Sequence, residues 1–354
     1  MKLRAALERY AWRMWRGEGG LTGAVLRVLL LPLEGLWRGV TRVRNRRYAG
    51  RIPASVEGLA VVSVGNVAVG GTGKTPLSAW VARRLADAGH RPAILLRGYG
   101  SDEVELHRTW NPEVVVEAAG DRTSAARAAR ERGADVAVLD DGFQHRRLGR
   151  VVDIVLVAAE DAVPGAVFPR VPYREPLSGL RRADVVVVTR RTATRDEAEG
   201  RLQTLRDGPY LASGASTAGV RLASDAVVPL GRWPGGAGDD ALRLDASEGA
   251  AALTAIARPE AFRDDVAALT GVPTHLFAFP DHHAFSAADV EDARQAAEGR
   301  PLFVTEKDAV KLKDLGADLP NTWVVVQRLE WDWGEEEVRA RLDAALAGRG
   351  GEDA

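Results

Sequence analysis

The chain of 354 residues contains no cysteine. Disulfides, thiolate nucleophiles and Cys-type zinc sites are therefore excluded, and the composition suits a reducing compartment. Long hydrophobic runs are missing as well. The N-terminal apolar run Val28–Leu33 covers six residues, whereas about 20 are needed to cross a bilayer, so no transmembrane helix is expected. Pro32 and Glu34 interrupt that segment and no small-residue cleavage site follows, which argues against a cleaved secretion signal. Internal repeats are absent, and so is an overall charge excess, the formal net charge being −1. That balance conceals an asymmetry: residues 1–51 hold twelve Lys or Arg against Glu8, Glu18 and Glu34, a net of +9 that leaves −10 for the remainder.

Against these absences, the length allows about two domains and a sizeable core, and 46% hydrophobic residues is ordinary for a globular protein. The most informative stretch is Val64–Pro76, which follows the strand-like run Leu59–Val64 and precedes a helix-like one. Gly70, Gly71 and Gly73 let the backbone turn and present N–H groups to a polyphosphate around Thr72, and a helix opening near Lys74 adds its positive dipole end. In such a cradle Lys74 reaches the β and γ phosphates and Thr75 ligates Mg²⁺. The strict P-loop pattern wants glycine five residues before Gly73, where this chain has Ala68; the core Gly-Gly-Thr-Gly-Lys-Thr is intact.

Short β-branched runs then alternate with helix-like segments. Expected strands are 93–96, 114–116, 136–139, 154–157 and 185–189, with helices at 76–88 and 122–132. This rhythm predicts an α/β fold of P-loop NTPase type, a mostly parallel sheet with helices on both faces. A Gly/Pro/Asp-rich loop at 231–240 and short strands near 274–279, 302–305 and 323–326 predict a second, smaller α/β domain. The expected partition is an N-terminal basic segment (1–50), a P-loop kinase domain (51–208), a smaller C-terminal domain (209–346) and a disordered tail (347–354).

Val136–Asp141 reads as a buried strand ending in two carboxylates, the way a Walker B strand offers aspartate to Mg²⁺; Asp140 and Asp141 are the candidate metal ligands. The loop after it, Gly142-Phe-Gln-His-Arg-Arg147, leaves the carboxyl end of that strand, where open α/β sheets place ligands. Arg97-Gly98-Tyr99-Gly100 is a second ligand-loop candidate. Asp281-His282-His283 leaves three options open: a capping Asp beside surface histidines, half of a metal site, or a His paired with a carboxylate as an acid/base group. Thr305-Glu-Lys-Asp308 matches the guanine signature Asn-Lys-x-Asp only in part, which argues against a GTPase. In the basic N-terminal segment, Trp12, Trp15 and Trp37 interleave with arginines, a composition suited to the headgroup layer of an anionic membrane; a helix packed on the domain is the alternative. No nucleic-acid-binding module is recognisable, so no nucleic-acid partner is expected.

Taken in order, the strings at 65–76, 97–100, 139–148 (Leu-Asp-Asp-Gly-Phe-Gln-His-Arg-Arg-Leu), 174–180 (Arg-Glu-Pro-Leu-Ser-Gly-Leu), 279–283 (Phe-Pro-Asp-His-His) and 305–312 (Thr-Glu-Lys-Asp-Ala-Val-Lys-Leu) resemble the tetraacyldisaccharide 4′-kinase family of lipid A biosynthesis. The resemblance implies a peripheral enzyme on the cytoplasmic face of the bacterial inner membrane. Its reaction would move the γ-phosphate of ATP, with Mg²⁺, to the 4′ hydroxyl of a tetraacylated glucosamine disaccharide 1-phosphate. Two α/β/α domains with the active site in their cleft are also implied. Carried over by position, Lys74 and Thr75 match the family's cradle and Asp140 with Asp141 its acidic motif. Asp102 matches the catalytic aspartate and His282 its histidine partner, while Gln144 and Glu175 match further active-site positions on the cofactor side. Asp121, also preceded by glycine, is better read as a helix cap. The family usually reads Gly-Asp-Glu-Pro where this chain has Ser-Asp-Glu-Val at 101–104, after a shortened segment. A P-loop ATPase at a membrane, or a kinase of another acceptor, would share the cradle without these strings.

Overall fold

The computed structural model describes residues 2–15, 17–98, 101–161, 165–235, 247–256, 259–316 and 319–347. Tyr99, Gly100, much of the 231–240 loop and the tail from 348 lie outside them. The chain forms two compact units, one made of residues 1–97, 114–222 and 329–354, the other of residues 98–113 and 223–328.

The first unit opens with three helices, α1 (Lys2–Trp15), α2 (Gly20–Leu29) and α3 (Leu31–Ala49). It continues with β1 (Ala60–Asn66), α4 (Lys74–Asp87) and β2 (Pro92–Leu96), then β3 (Val115–Ala118), α6 (Arg122–Glu131) and β4 (Val136–Asp140). The remainder is β5 (Val152–Ala158), β6 (Val185–Arg190), α7 (Arg195–Asp207), the first part of β7 (Ser216–Pro229), the last part of β11 (Thr322–Trp333) and α11 (Glu335–Ala347). Its strand order is β3-β2-β4-β1-β5-β6-β7, each neighbouring pair parallel. Every residue of β1, β2 and β4 is buried, which is why these strands read as continuous apolar runs rather than alternating ones. Asp121 caps α6, accepting from the N–H groups of Thr123 and Ser124, as its position before a helical run predicts.

The N-terminal helices show one packed and one open face. Trp37 Nε1 donates to the Arg174 carbonyl and Trp15 Nε1 to that of Pro169, each at 2.9 Å, and both rings stand edge-on to Phe168. Glu34, 4% exposed, accepts from Arg38, Arg170 and the Val167 N–H. Trp15 and Trp37 are thus anchors onto the unit, not the headgroup-facing residues their spacing among arginines suggests: each part-buried indole N–H finds its acceptor in a protein carbonyl. Trp12 packs on Trp15 at 5.0 Å between centroids. The open face is aliphatic instead, with Leu21, Val28, Leu29 and Leu36 each more than 60% exposed. No single helix among the described residues is long and apolar enough to cross a membrane; α2 and α3, bent by 50°, meet the length and composition criterion only as a pair.

The second unit comprises α5 (Ser101–Trp110), the end of β7, β8 (Ala250–Thr254), α8 (Pro259–Thr270), β9 (Thr274–Ala278), α9 (Ala287–Ala297), β10 (Leu302–Thr305), α10 (Glu306–Asp314) and the start of β11. Its order is β11-β10-β8-β9, parallel throughout. One core joins Leu106 of α5 to Leu253, Val304, Leu312 and Val324. Buried Glu306 accepts from Trp110 Nε1, Trp233 Nε1 and the Gln327 N–H, tying α5 to α10 and β11. The contact division differs from a linear partition at two places: residues 98–113 leave the first unit's sequence span for the second, and residues from 329 onward return to the first. The reason lies in β7 and β11, long strands that each carry the chain from one unit into the other.

Candidate functional site

In the first unit, β1 ends at Asn66 and the chain enters the glycine loop. Val67 and Val69 exchange backbone bonds with residues 172–174, since Arg174 N–H donates to Val67 O and Val69 N–H to Pro172 O. Ala68 bridges Tyr173. Position 68 is therefore extended backbone that alanine adopts freely, and the departure from the strict P-loop pattern carries no conformational cost there. Glycine is required further on, where Gly70 has φ +118° and Gly73 φ +87°. A Cβ on Gly73 would also lie 2.7 Å from Leu222 Cδ1. Gly73 caps α4, placing Lys74 and Thr75 in its first turn with Gly71 exposed and Thr72 buried. Backbone N–H groups at a helix start and the macrodipole together favour an anion here.

Asp140 ends β4 beside Val64 of β1, and Asp141 follows with φ +58°. Arg174 Nη1 donates to both Asp141 oxygens, at 2.9 and 3.0 Å, and Lys74 Nζ lies 3.8 Å from Oδ1. Behind the cradle runs a hydrogen-bonded chain. Arg182 pairs with Glu175 at 2.9 Å, Gln144 Nε2 donates to Glu175 Oε1 and to Asn66 O, and Asn66 Nδ2 donates to Thr72 Oγ1. Glu175 is fully buried, so its carboxylate braces the loop through Gln144 and Asn66. Of the residues expected from sequence, Gly70–Thr75, Asp140, Asp141, Gln144 and Glu175 fall in this one unit. Arg174 and Arg182 were not anticipated, although Arg174 adjoins Glu175 in the same string.

Thr75, Asp140 and Asp141 offer hydroxyl and carboxylate oxygens beside the cradle, the hard donors that suit Mg²⁺. Among the described residues no group of three or more His, Cys, Asp or Glu side chains is placed to hold a metal on its own.

The second unit holds a different cluster. Asp102 sits in the first turn of α5 and is 4% exposed. Its oxygens lie 3.1 and 3.2 Å from His282 Nδ1. Lys311 Nζ is 3.7 Å from Asp102 Oδ2, and Lys307 Nζ pairs with Glu103 at 2.6 Å. Burial alone would raise the Asp102 carboxyl, but the His282 bond and the charges of Lys307, His282 and Lys311 outweigh it and hold the group at about 2. The bond to Asp102 pushes the His282 imidazole above its ordinary value against the effect of burial, with Asp281 adding to the rise. His282 has φ +59° and His283 turns away to Asp289, stacking on Phe279. Of the three options for Asp281-His282-His283, the carboxylate-paired histidine is the one realised; the two imidazoles share no ligand position. The TEKD segment is the start of α10, Thr305 capping it by accepting from the Asp308 N–H. Lys307 and Lys311 were not assigned roles from sequence, yet their i,i+4 spacing places both on one helix face.

A model of the family described as tetraacyldisaccharide-1-P 4′-kinase (LpxK) matches residues 26–121 and 102–347. The chain belongs to that family. A tetraacyldisaccharide 4′-kinase of Anaeromyxobacter sp. (strain Fw109-5) is 38% identical over 95% of this chain and 96% of the relative, and one of Syntrophus aciditrophicus (strain SB) is 36% identical over 85% and 88%. The crystal structure of LpxK from Aquifex aeolicus in complex with ATP superposes with a TM-score of 0.69 at 26% identity, covering 90% of this chain and 99% of that one. The chain is accordingly a kinase of lipid A biosynthesis with the α/β fold of its family.

Proposed function

We propose that this family member transfers the γ-phosphate of ATP to the 4′ hydroxyl of tetraacyldisaccharide 1-phosphate, with Gly70–Thr75 binding the polyphosphate and the Asp102–His282 pair accepting the hydroxyl proton. The observation that carries the phosphate half is the glycine turn at Gly73 delivering Lys74 into a helix N-terminus, with its ammonium 3.8 Å from Asp141. Lys74 and the loop N–H groups stabilise charge on the transferred group, the main demand of a loose phosphoryl-transfer transition state. Mg²⁺, held by Thr75 with Asp140 or Asp141, would neutralise phosphate charge when bound.

The proton half follows from the coupling of the pair. With His282 protonated, an Asp102 held at about 2 is a feeble base. With the imidazole neutral, Asp102 takes the developing proton and the bonded pair relocates it to His282, so the pair titrates as one site. The acylated acceptor lies in a membrane, and we assign the open face of α2 and α3 to peripheral docking on the cytoplasmic side of the inner membrane. A cavity of about 780 Å³ along α3, lined by Leu36, Val40, Val43, Arg44, Arg47 and Arg147 among others, supports this with apolar wall and cationic rim. Replacing Leu29 and Leu36 by Asp should abolish flotation with anionic vesicles; retained flotation refutes the docking face.

The reaction is tested with Mg²⁺, γ-labelled ATP and tetraacyldisaccharide 1-phosphate in mixed micelles, beside Lys74→Ala. Label in the lipid with the unmodified protein alone supports the assignment. Equal transfer by Lys74→Ala overturns the role of the cradle.

A further inference from the structure

We propose that Lys311 is the positioning cation of the Asp102–His282 pair, tied to Asp308 on one side and to Asp102 on the other. Asp308 is fully buried and accepts from the Thr254 and Thr305 hydroxyls, each at 2.7 Å, and from the Ala255 N–H at 3.1 Å. Oδ2 takes both hydroxyls, one from the end of β8 and one from the cap of α10, and Oδ1 takes the Ala255 amide. Lys311 Nζ lies 3.4 Å from Asp308 Oδ1 and 3.4 Å from the Ala255 carbonyl. The same carbonyl accepts the backbone N–H of His282 at 3.2 Å, so Lys311 and His282 hang from one atom. The Phe285 ring lies 5.7 Å from Nζ, a further favourable neighbour for the charge. One ammonium thereby serves two carboxylates on different elements, and α5 is held with Asp102 facing His282.

The surrounding charges distinguish Lys311 from its neighbours. Asp102 is faced by His282 and Asp281 from the loop after β9, by Lys307, Asp308 and Lys311 from α10, and by Glu103 on its own helix. Lys307 is balanced by Glu103, and its side chain is 30% exposed. Lys311 is 11% exposed and lies between the buried carboxylates of Asp102 and Asp308, so its charge is less screened by water than that of Lys307. The role of Lys311 is to hold Asp102 ionised and aligned on His282, so that the pair is a competent acceptor once the imidazole is neutral. Both groups of the pair lose a nearby cation if Lys311 is neutralised, and both then bind protons more tightly.

This rests on the reading of Asp102 as proton acceptor, and the test separates the two. Using the full chain with Mg²⁺, ATP and lipid substrate in micelles, kcat/KM is measured against pH for the unmodified protein, Lys311→Met, Lys311→Gln and Lys311→Arg. The His282 imidazole is titrated in parallel by NMR, assigned with His282→Gln. In the neutral variants the acid limb of kcat/KM and the His282 titration should both move up by roughly one pH unit, and Lys311→Arg should restore them. Lys311→Gln, which keeps a polar donor beside Asp308, guards against loss of folding in Lys311→Met. A rate lowered evenly at all pH with an unmoved His282 titration overturns the proposal and leaves Lys311 a structural residue. A His282 titration that moves while the rate limb stays supports the placement of Lys311 and instead overturns the assignment of the pair as base.

Discussion

Glu175→Gln separates bracing from direct ligation. The carboxylate has no exposed surface, and its partners are Arg182 at 2.9 Å and Gln144 at 3.2 Å. Removing its charge strands the Arg182 guanidinium, which lies 4.4 Å from the Phe143 ring centroid and is 23% exposed. Breaking a fully buried pair costs about 3–5 kcal/mol, but water reaches Arg182 and glutamine retains one hydrogen bond, so about 2 kcal/mol is expected, near the worth of one charge-assisted bond. For a unit of this size that lowers Tm by about 4–8 °C. Gln144 keeps its bond to the Asn66 carbonyl, so the cradle loosens without collapsing, and KM for ATP should rise by a few-fold with kcat held within about threefold, on the order of 0.6 kcal/mol. Differential scanning calorimetry and steady-state kinetics read the two quantities. A fall in kcat beyond about a hundredfold at unchanged Tm would refute the reasoning, since only a group stabilising the transition state behaves that way.

Three further outcomes are expected. Asp102→Asn should lower kcat by about 10²- to 10⁴-fold, the usual worth of a general base, with KM for ATP changed less than about twofold, within ordinary steady-state scatter; a kcat within tenfold of the unmodified protein removes Asp102 from proton transfer. Because the His282 value is raised, kcat/KM should climb with pH through that raised value and level off above it, and His282→Gln should erase this limb. The stability contribution of the same bond has the opposite sign: it is fully present below the unfolded imidazole value and fades as pH rises through the folded one. The difference in Tm between the unmodified protein and His282→Gln should therefore shrink from pH 6 to pH 9, and a difference that grows contradicts the ion pair.

Much of the first unit is legible in the residues because its signals are local. The glycines at 70 and 73 need left-handed backbone, Asp121 precedes a helical run, and β1, β2 and β4 are continuous apolar segments between breakers. What escapes is set by distant contacts. Ala250–Thr254 is alanine-rich and favours helix by propensity, yet forms a fully buried strand because β9 and β10 flank it. Ser101–Trp110 has no strong periodicity and is held as α5 by Leu106 in the core and by Trp110 on Glu306. The tryptophans of the N-terminal helices look membrane-directed until the carbonyls of Pro169 and Arg174, more than a hundred positions away, are brought to them. Pairing of Asp102 with His282 spans 180 positions; spacing alone left it one option among three. Two of the four non-glycine residues with positive φ among those described are Asp141 and His282, and local backbone strain of this kind marks functional positions more readily in coordinates than in a string of letters.

The passage of residues 98–113 into the second unit bears on how the protein emerges from the ribosome. Trp110, Glu103 and Asp102 meet Glu306, Lys307 and Lys311 only after some two hundred further residues exist, while β1, β2 and β4 can assemble as soon as residue 140 is out. The helix bearing the candidate base must therefore wait, tethered at both ends to strands that can already be in place. Synthesis order makes the cradle an early structure and the proton acceptor a late one, and no uninterrupted piece of the chain holds the second unit without more than a hundred residues of the first.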